Sequence, residues 1–249
     1  MSEITIVCCW NNIAQYNKLL DSIATQELDV NVLDVDNRKQ IFKSCSRALN
    51  NATLSVQTKY VLYAHQDIIF STSDTVSHIL RYLNMIQDGD ILGFAGANFD
   101  SPFVKTNVLV GNEKNREYGG SSRVNGMEQC DTLDECLFGG YTSYFKRARF
   151  DETICCGWHL YTVELCLRTK IYGGKVYVCD VELFHISRGA IDSSYNDTYR
   201  KLCQKYGKYF KFLRTPCCYY SKTSYFFRNL YWLRKKLGMA IKKKEGFFK

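Results

Sequence analysis

A fully apolar run that stops abruptly at three polar residues limits the folds open to this chain. The run is Tyr60-Val61-Leu62-Tyr63-Ala64, and it ends in His65-Gln66-Asp67. Its β-prone residues predict a buried strand. Open α/β sheets bind ligands beyond the carboxyl ends of such strands. Asp67 therefore has two readings. It begins a turn or caps the next helix, or it offers a rigidly held oxygen ligand to Mg2+ or Mn2+.

The residues around this run alternate between strand and helix patterns. Residues 3–10 read as a first strand, and Asn11-Asn12 breaks it and can cap a helix. Ile13, Tyr16, Leu20 and Ile23 recur at helical spacing. Residues 30–35 form a second strand, ending in Asp34-Val35-Asp36-Asn37, and Ile41, Cys45, Ala48 and Ala52 stripe a second helix. A third helix is expected over 73–87 and a further strand over 90–97. Such alternation predicts a parallel, doubly wound sheet. Right-handed crossovers then bring Trp10-Asn11, Asp34 to Asp36 and His65 to Asp67 into one crevice.

Residues 98–126 are polar and glycine-bearing, and read as an irregular segment, either a binding loop or lid or a plain surface insertion. Residues 127–138 are strand-like but interrupted by Asp131 and Asp134. A helix follows Gly157-Trp158-His159 and ends at Gly173-Gly174. Residues 175–184 predict one more strand, which stops at His185, again a metal-competent residue at a strand end. Arg188, three residues on, is placed to clamp a diphosphate or to be a solvated loop arginine. Residues 193–213 read as a last helix before the basic end of the chain.

The 249 residues suffice for a sizeable core. No secretory leader is evident near residue 1, and no apolar run approaches the roughly 20 residues that span a bilayer. The twelve cysteines include no CxxC pair, so they read as free thiols in a reducing cytosol rather than as a zinc site. The net charge of +8 is confined to residues 222–249, which hold nine Lys or Arg and one acid. The rest of the chain is neutral, which argues against nucleic acid as a partner. In that tail Phe226, Leu230, Leu233, Leu237 and Ile241 share one helical face. It reads as a basic amphipathic helix for an anionic membrane surface, or as a terminal helix packed on the body.

The order of these features (DVDN, HQD, FDE, WHLYTVELCLR and a strand ending in His185) resembles family 2 glycosyltransferases with the GT-A fold. Within them it is similar to the small branch related to streptomycin-biosynthesis glycosyltransferase-like proteins. The resemblance covers about residues 3–190, and FDE with the following helix is its most specific part. It implies an α/β, Rossmann-like, mostly parallel sheet flanked by helices. Residues 1–190 would be the catalytic domain, and 191–249 a C-terminal helical extension. It implies Asp36 as a nucleoside contact, with Trp10, Asn11, Asn12 and Gln66 around the nucleotide. Asp67 and His185 would be the metal and diphosphate contacts, and His65 stands in place of the first acid of the usual DxD motif. Thr162 stands where the family has its usual general base.

An inverting transfer needs a cation to neutralise the leaving diphosphate and a group to take the acceptor's proton. For the second role Glu164, His159 and Asp134 remain candidates. The expected function is cytoplasmic transfer of a sugar from a nucleotide-sugar, with UDP-sugars favoured, to a glycan, lipid-linked or other hydroxyl acceptor. Thr162 and His65 leave room for a catalytically weak sugar-nucleotide- or glycan-binding protein. A nucleotidyltransferase would carry a glycine-rich loop after the first strand, and CCWNN has no glycine.

Overall fold

The computed structural model describes residues 2–112, 114–187, 191–217 and 220–223. The chain runs β1 (Ile4–Trp10), α1 (Ile13–Ala24), β2 (Asn31–Asp36), α2 (Cys45–Thr53), β3 (Tyr60–Ala64), β4 (Ile68–Phe70), α3 (Thr75–Leu83), β5 (Ile91–Gly93) and β6 (Ala95–Ala97). It continues through β7 (Val104–Thr106), β8 (Val108–Asn112), β9 (Asn115–Tyr118), β10 (Met127–Gln129), β11 (Thr132–Leu133), β12 (Leu137–Tyr141), α4 (Thr142–Ala148) and α5 (Tyr161–Ile171). Among the described residues it then has β13 (Val176–Cys179), β14 (Leu183–His185), α6 (Ser193–Tyr206), β15 (Phe212–Arg214) and β16 (Tyr220–Lys222).

Seven strands form the main sheet in the order β10-β13-β5-β12-β3-β1-β2. β1 pairs in parallel with both β2 and β3, and β13 pairs in parallel with β5. β12 runs antiparallel between β3 and β5, so it alone of the inner strands points the other way. Side chains alternate between two cores. Ile4, Ile6, Cys8 and Leu62 pack with Tyr16, Leu19, Val76 and Ile79 of α1 and α3. Val7, Val61 and Tyr63 pack on the opposite face with Leu49 of α2, Phe145 of α4 and Leu165 of α5. Burying each such large apolar side chain stabilises the fold by roughly 1.5–3 kcal/mol. With helices on both faces, β3 must be apolar throughout, and all five of its residues are buried.

Several boundaries differ from the sequence expectation. α2 starts at Cys45, and Ile41 lies outside it, 69% exposed. The Asn37 side chain holds residues 37–42 in a loop, accepting from Phe42 N at 2.9 Å and donating to Phe42 O at 3.0 Å. Ser44 then caps the helix, accepting from Arg47 N. Residues 98–126 are not an irregular insertion, because they contain β7, β8 and β9. Gly111, at φ +125°, lies in β8 opposite Arg116 of β9, where a Cβ would stand 2.3 Å from Asn115 O. The run 175–184 is two strands rather than one. Asp180 breaks it by accepting from Gly126 N at 2.7 Å and Tyr82 Oη at 2.6 Å, so β13 stays in the main sheet. β14 leaves for a second sheet of order β4-β14-β8-β9.

The helix expected over 193–213 ends at Tyr206, and β15 pairs with β16 beyond it. α6 packs against α5. Its Tyr195, Tyr199, Leu202 and Tyr206 share a core with Leu160, which precedes α5, and with Val163 and Leu167 of α5. Every described cysteine is a free thiol, as expected. Residues 224–249, with the amphipathic pattern read from the sequence, lie outside the described residues.

Candidate active site

The backbone between β3 and β4 joins the two sheets, and His65, Gln66 and Asp67 occupy that joint. β14 lays His185 opposite Ile68, the residue after Asp67. The result is a cluster of His65, Asp67 and His185 whose potential ligand atoms all lie within 4.8 Å of one another. His185 Nε2 is 3.2 Å from Asp67 Oδ1, yet this buried nitrogen makes no hydrogen bond. The other Asp67 oxygen accepts from Ser187 N at 3.2 Å.

Electrostatics follow from this packing. Burial works against the Asp67 charge, but His185 and Ser187 outweigh it and hold the carboxyl well below the usual range. Burial would also lower His185, and the Asp67 carboxylate overrides it and raises the imidazole above its ordinary value. Burial and the neighbouring His185 drop His65 to about 4, against the pull of Asp134 and Asp67. His65 is therefore neutral near pH 7 and has a lone pair to offer. An orphaned buried imidazole nitrogen beside a carboxylate and a neutral histidine is a donor set that fits a divalent cation.

Two cavities meet at this cluster. One, of about 320 Å³, is lined by Trp10, Asn11, Gln15, Asn37, Gln66 and Asp67 among others. The second, of about 500 Å³, is lined by Asp134, Glu135, His159, His185, Tyr118 and Tyr195 among others. His65 and Trp158 line both. Ile191, Tyr195, Pro216 and Cys217 bring the C-terminal segment to the second cavity.

Of the residues expected at the nucleotide, Trp10, Asn11 and Gln66 line the first cavity. Trp10 is buried, stacks on Tyr16 at 4.8 Å and donates from Nε1 to Asp34 Oδ2 at 3.1 Å. Asp36 is the register partner of Trp10 on β2. The Arg38 guanidinium holds the Asp36 carboxylate with Nε–Oδ1 at 3.0 Å and Nη2–Oδ2 at 2.6 Å, lowering its pKa to about 2. Arg38 also lies over the Trp10 ring, 4.8 Å from its centroid. Asn12 caps α1, accepting from Ala14 N and Gln15 N. Neither Asp36 nor Asn12 lines the cavity itself. Arg188 lies outside the described residues.

The three candidates for the proton acceptor separate. His159 and Asp134 line the second cavity. Burial lowers the His159 pKa against the pull of Asp192, whose Oδ1 is 3.7 Å away. Asp134 accepts from Cys136 N at 2.9 Å. Glu164 lines neither cavity. It is fully buried, with Arg168 Nη2 at 3.0 Å, Lys205 Nζ at 3.3 Å and Tyr206 Oη donating to its carboxylate. That geometry makes it an anchor between α5 and α6. Thr162 is fully buried and also lines neither cavity.

Glu135 and Arg38 were missed from the sequence. Glu135 stands in a strand-like run directly after Asp134, and Arg38 follows Asp36 by two residues. Those neighbours were the available signals.

A sequence profile of a glycosyltransferase-like family matches residues 5–209. The chain belongs to this glycosyltransferase-like family. A curated protein of Fuscovulum blasticum, "ATP synthase subunits region ORF 6", is 22% identical over 163 residues, 61% of each chain. The likeness to solved structures is one of fold. GalNAc-T7 with UDP, GalNAc and Mn2+ superposes with a TM-score of 0.59 at 8% identity, over 81% of this chain and 48% of that one. S. aureus TarS 1–349 with UDP-GlcNAc gives 0.55 at 14% identity, over 82% and 66%. The mannosyltransferase PcManGT of Pyrobaculum calidifontis, with GDP-Man and Mn2+, gives 0.55 at 11%, over 83% and 63%. This member of the family thus spans about three fifths of its curated relative and about half of GalNAc-T7. The fold is GT-A, and no helix among its described residues is long and apolar enough to cross a membrane.

Proposed function

We propose that this glycosyltransferase moves a hexosyl group from a nucleotide-sugar to a hydroxyl acceptor by a single inverting displacement. The observation that carries the reading is the His65, Asp67 and His185 cluster at the meeting of two cavities. The first cavity takes the nucleotide, with Trp10 and Asn11 at the base and Gln66 fixing their loop, while Asn12 and Asp36, braced by Arg38, would support that loop and strand from outside the lining. UDP-sugars are favoured because UDP accompanies two of the neighbouring structures.

Asp67 and His185, with His65, would hold the cation, and two imidazoles suit Mn2+ better than Mg2+. Bound there, the ion supplies positive charge to the diphosphate as the glycosidic bond breaks. Arg188 would add a second positive contact. The acceptor, a glycan or lipid-linked hydroxyl, enters the second cavity, and its oxygen attacks the anomeric carbon. His159, with its lowered pKa, takes the hydroxyl proton, and Asp134 is the alternative.

Residues 1–190 would hold the cation cluster and the proton acceptor on this reading, with 191–249 an extension whose Ile191, Tyr195, Pro216 and Cys217 complete the second cavity. Its basic end would hold the enzyme to the cytoplasmic face of the membrane. Liposome co-sedimentation with and without residues 222–249 tests that contact, and equal binding would remove it from the proposal.

The deciding experiment is a thermal-unfolding screen of UDP-GlcNAc, UDP-GalNAc and GDP-Man with and without Mn2+. A ligand at 100 times its Kd stabilises the folded state by about 2.7 kcal/mol. A Mn2+-dependent rise with a UDP-sugar is expected, and no rise with any donor would overturn the reading. Buried Thr162 and the enclosed Glu164 favour one second reading, a binding protein with little turnover. A donor-dependent rise without sugar transfer or donor hydrolysis would select it.

A further inference from the structure

His159 belongs to no helix or strand, yet its surroundings hold it from two directions. The backbone on both sides of it is pinned. Gly157 O accepts from Cys45 N at 3.0 Å, and Leu160 O accepts from Glu164 N at 2.9 Å. Leu160, 1% exposed, sits at φ +67°, a left-handed conformation that strains a leucine and persists only where the surroundings dictate it. The buried Glu135 carboxyl supplies that constraint at the backbone N–H groups of Leu160 and Tyr161. The imidazole itself is met by the start of α6. Asp192 caps that helix, its Oδ1 accepting from Ser194 N at 2.8 Å, Tyr195 N at 3.3 Å and Ser194 Oγ at 2.6 Å. The same Oδ1 is 3.7 Å from His159 Nε2. Ser194 and Tyr195 hold the Asp192 carboxyl below the usual range, so it is charged near neutral pH.

We propose that Asp192 is a positioning residue for His159, orienting its imidazole and stabilising its charged form as it takes the acceptor's proton; this rests on the transferase reading above. At 3.7 Å the contact is one of charge rather than a hydrogen bond. In the transfer the acceptor oxygen bonds to the anomeric carbon, and the bond to the diphosphate breaks with its electrons leaving on the nucleotide. The hydroxyl proton goes to the ring nitrogen of His159 that does not face Asp192. Burial opposes the resulting imidazolium, and a carboxylate fixed beside Nε2 offsets that cost. Other titratable groups around His159 are Tyr195, with ring centroids 5.5 Å apart, and Glu117, Asp134, His65 and His185 along the same cavity. Burial lowers the His159 pKa, and Asp192 is the group that raises it.

The test is Asp192→Ser in the full chain, which keeps a good helix cap and removes the carboxylate. The chain has four histidines, so NMR titration can follow His159, assigned with His159→Gln. In Asp192→Ser it should titrate about half a pH unit lower, the size of a largely exposed ion pair, with the melting temperature nearly unchanged. UDP release from UDP-GlcNAc with Mn2+ and water as acceptor should lose about ten-fold in kcat with KM unchanged, and its acid limb should move to lower pH. An unchanged His159 titration overturns the proposal, as does a lower kcat with an unmoved pH profile. If the serine variant does not fold, Asp192→Asn, another good cap without the charge, takes its place. A shifted titration in a protein that releases no UDP counts against the transferase reading. UDP release with an unshifted titration counts against this inference only.

Discussion

Gln66 and Asn11 are joined twice. Gln66 Oε1 accepts from Asn11 N at 2.8 Å, and Gln66 Nε2 donates to Asn11 Oδ1 at 3.1 Å. The same Oε1 also accepts from Asn12 N at 2.9 Å, so one side chain at the end of β3 fixes the loop after β1. Gln66→Ala should cost about 1–2 kcal/mol of stability, since neutral hydrogen bonds contribute about 1 kcal/mol each. It should weaken nucleotide binding more than that cost suggests, because the loop is no longer held. Denaturant unfolding and UDP titration on the same variant check this, and unchanged UDP affinity would count against it.

Asp67→Ala removes the carboxylate that faces His185 and Ser187. The Mn2+-dependent part of the UDP thermal shift should disappear, while any metal-independent part remains. A full Mn2+-dependent shift in the variant would make Asp67 a turn residue and nothing more.

Glu164→Gln leaves Arg168 and Lys205 beside an uncharged, fully buried side chain. Removing one partner of a buried pair typically costs about 3–5 kcal/mol. Lys205 is partly exposed and retains Asp151 at 2.7 Å, so the lower end, about 3 kcal/mol, is expected. Turnover per folded molecule should change little, because Glu164 is outside both cavities. A selective loss of kcat with normal stability would restore it as the proton acceptor.

Glu135 makes stability fall with pH. Burial and the Asp134 charge make its carboxyl hold a proton more tightly than in the unfolded chain. Above the unfolded value of about 4.3, the unfolded chain releases that proton and the folded chain keeps it. The folded state therefore loses stability as pH rises, until its own carboxyl ionises. Glu135→Gln should melt with the unmodified protein near about pH 4 and above it near about pH 8. Each tenfold difference in proton affinity amounts to about 1.4 kcal/mol. Parallel melting curves at both pH values would contradict the assignment.

The sequence was most legible where local and global signals agreed. β1, β2 and β3 have apolar strands, and their ends carry the polar residues that meet beyond the sheet. The Asn12 cap and the Gly173 stop also follow from local chemistry, with Gly173 at φ +86°. β12 was harder because its pairing is set by distant strands. Gly139 carries no side chain to reveal a pattern, and a Cβ there would lie 2.0 Å from Val61 O. In 98–126, β8 was hidden for a similar reason, since its partner β14 lies 75 residues away at Leu109 and Phe184. At the site, Asp67 and His185 were visible as strand ends. The enclosure of Glu164 was not, because Lys205 and Tyr206 reach it from α6, about 40 residues along the chain.

His65 and Trp158 belong to both cavity walls. Two occupants would rest on the same pair of side chains, so neither could bind without altering the surface the other meets. Whatever factor a nucleotide applies to the affinity of its companion, the companion must return to the nucleotide. Trp158, 41% exposed, gives that reciprocity an optical reporter, because its fluorescence can register either occupant.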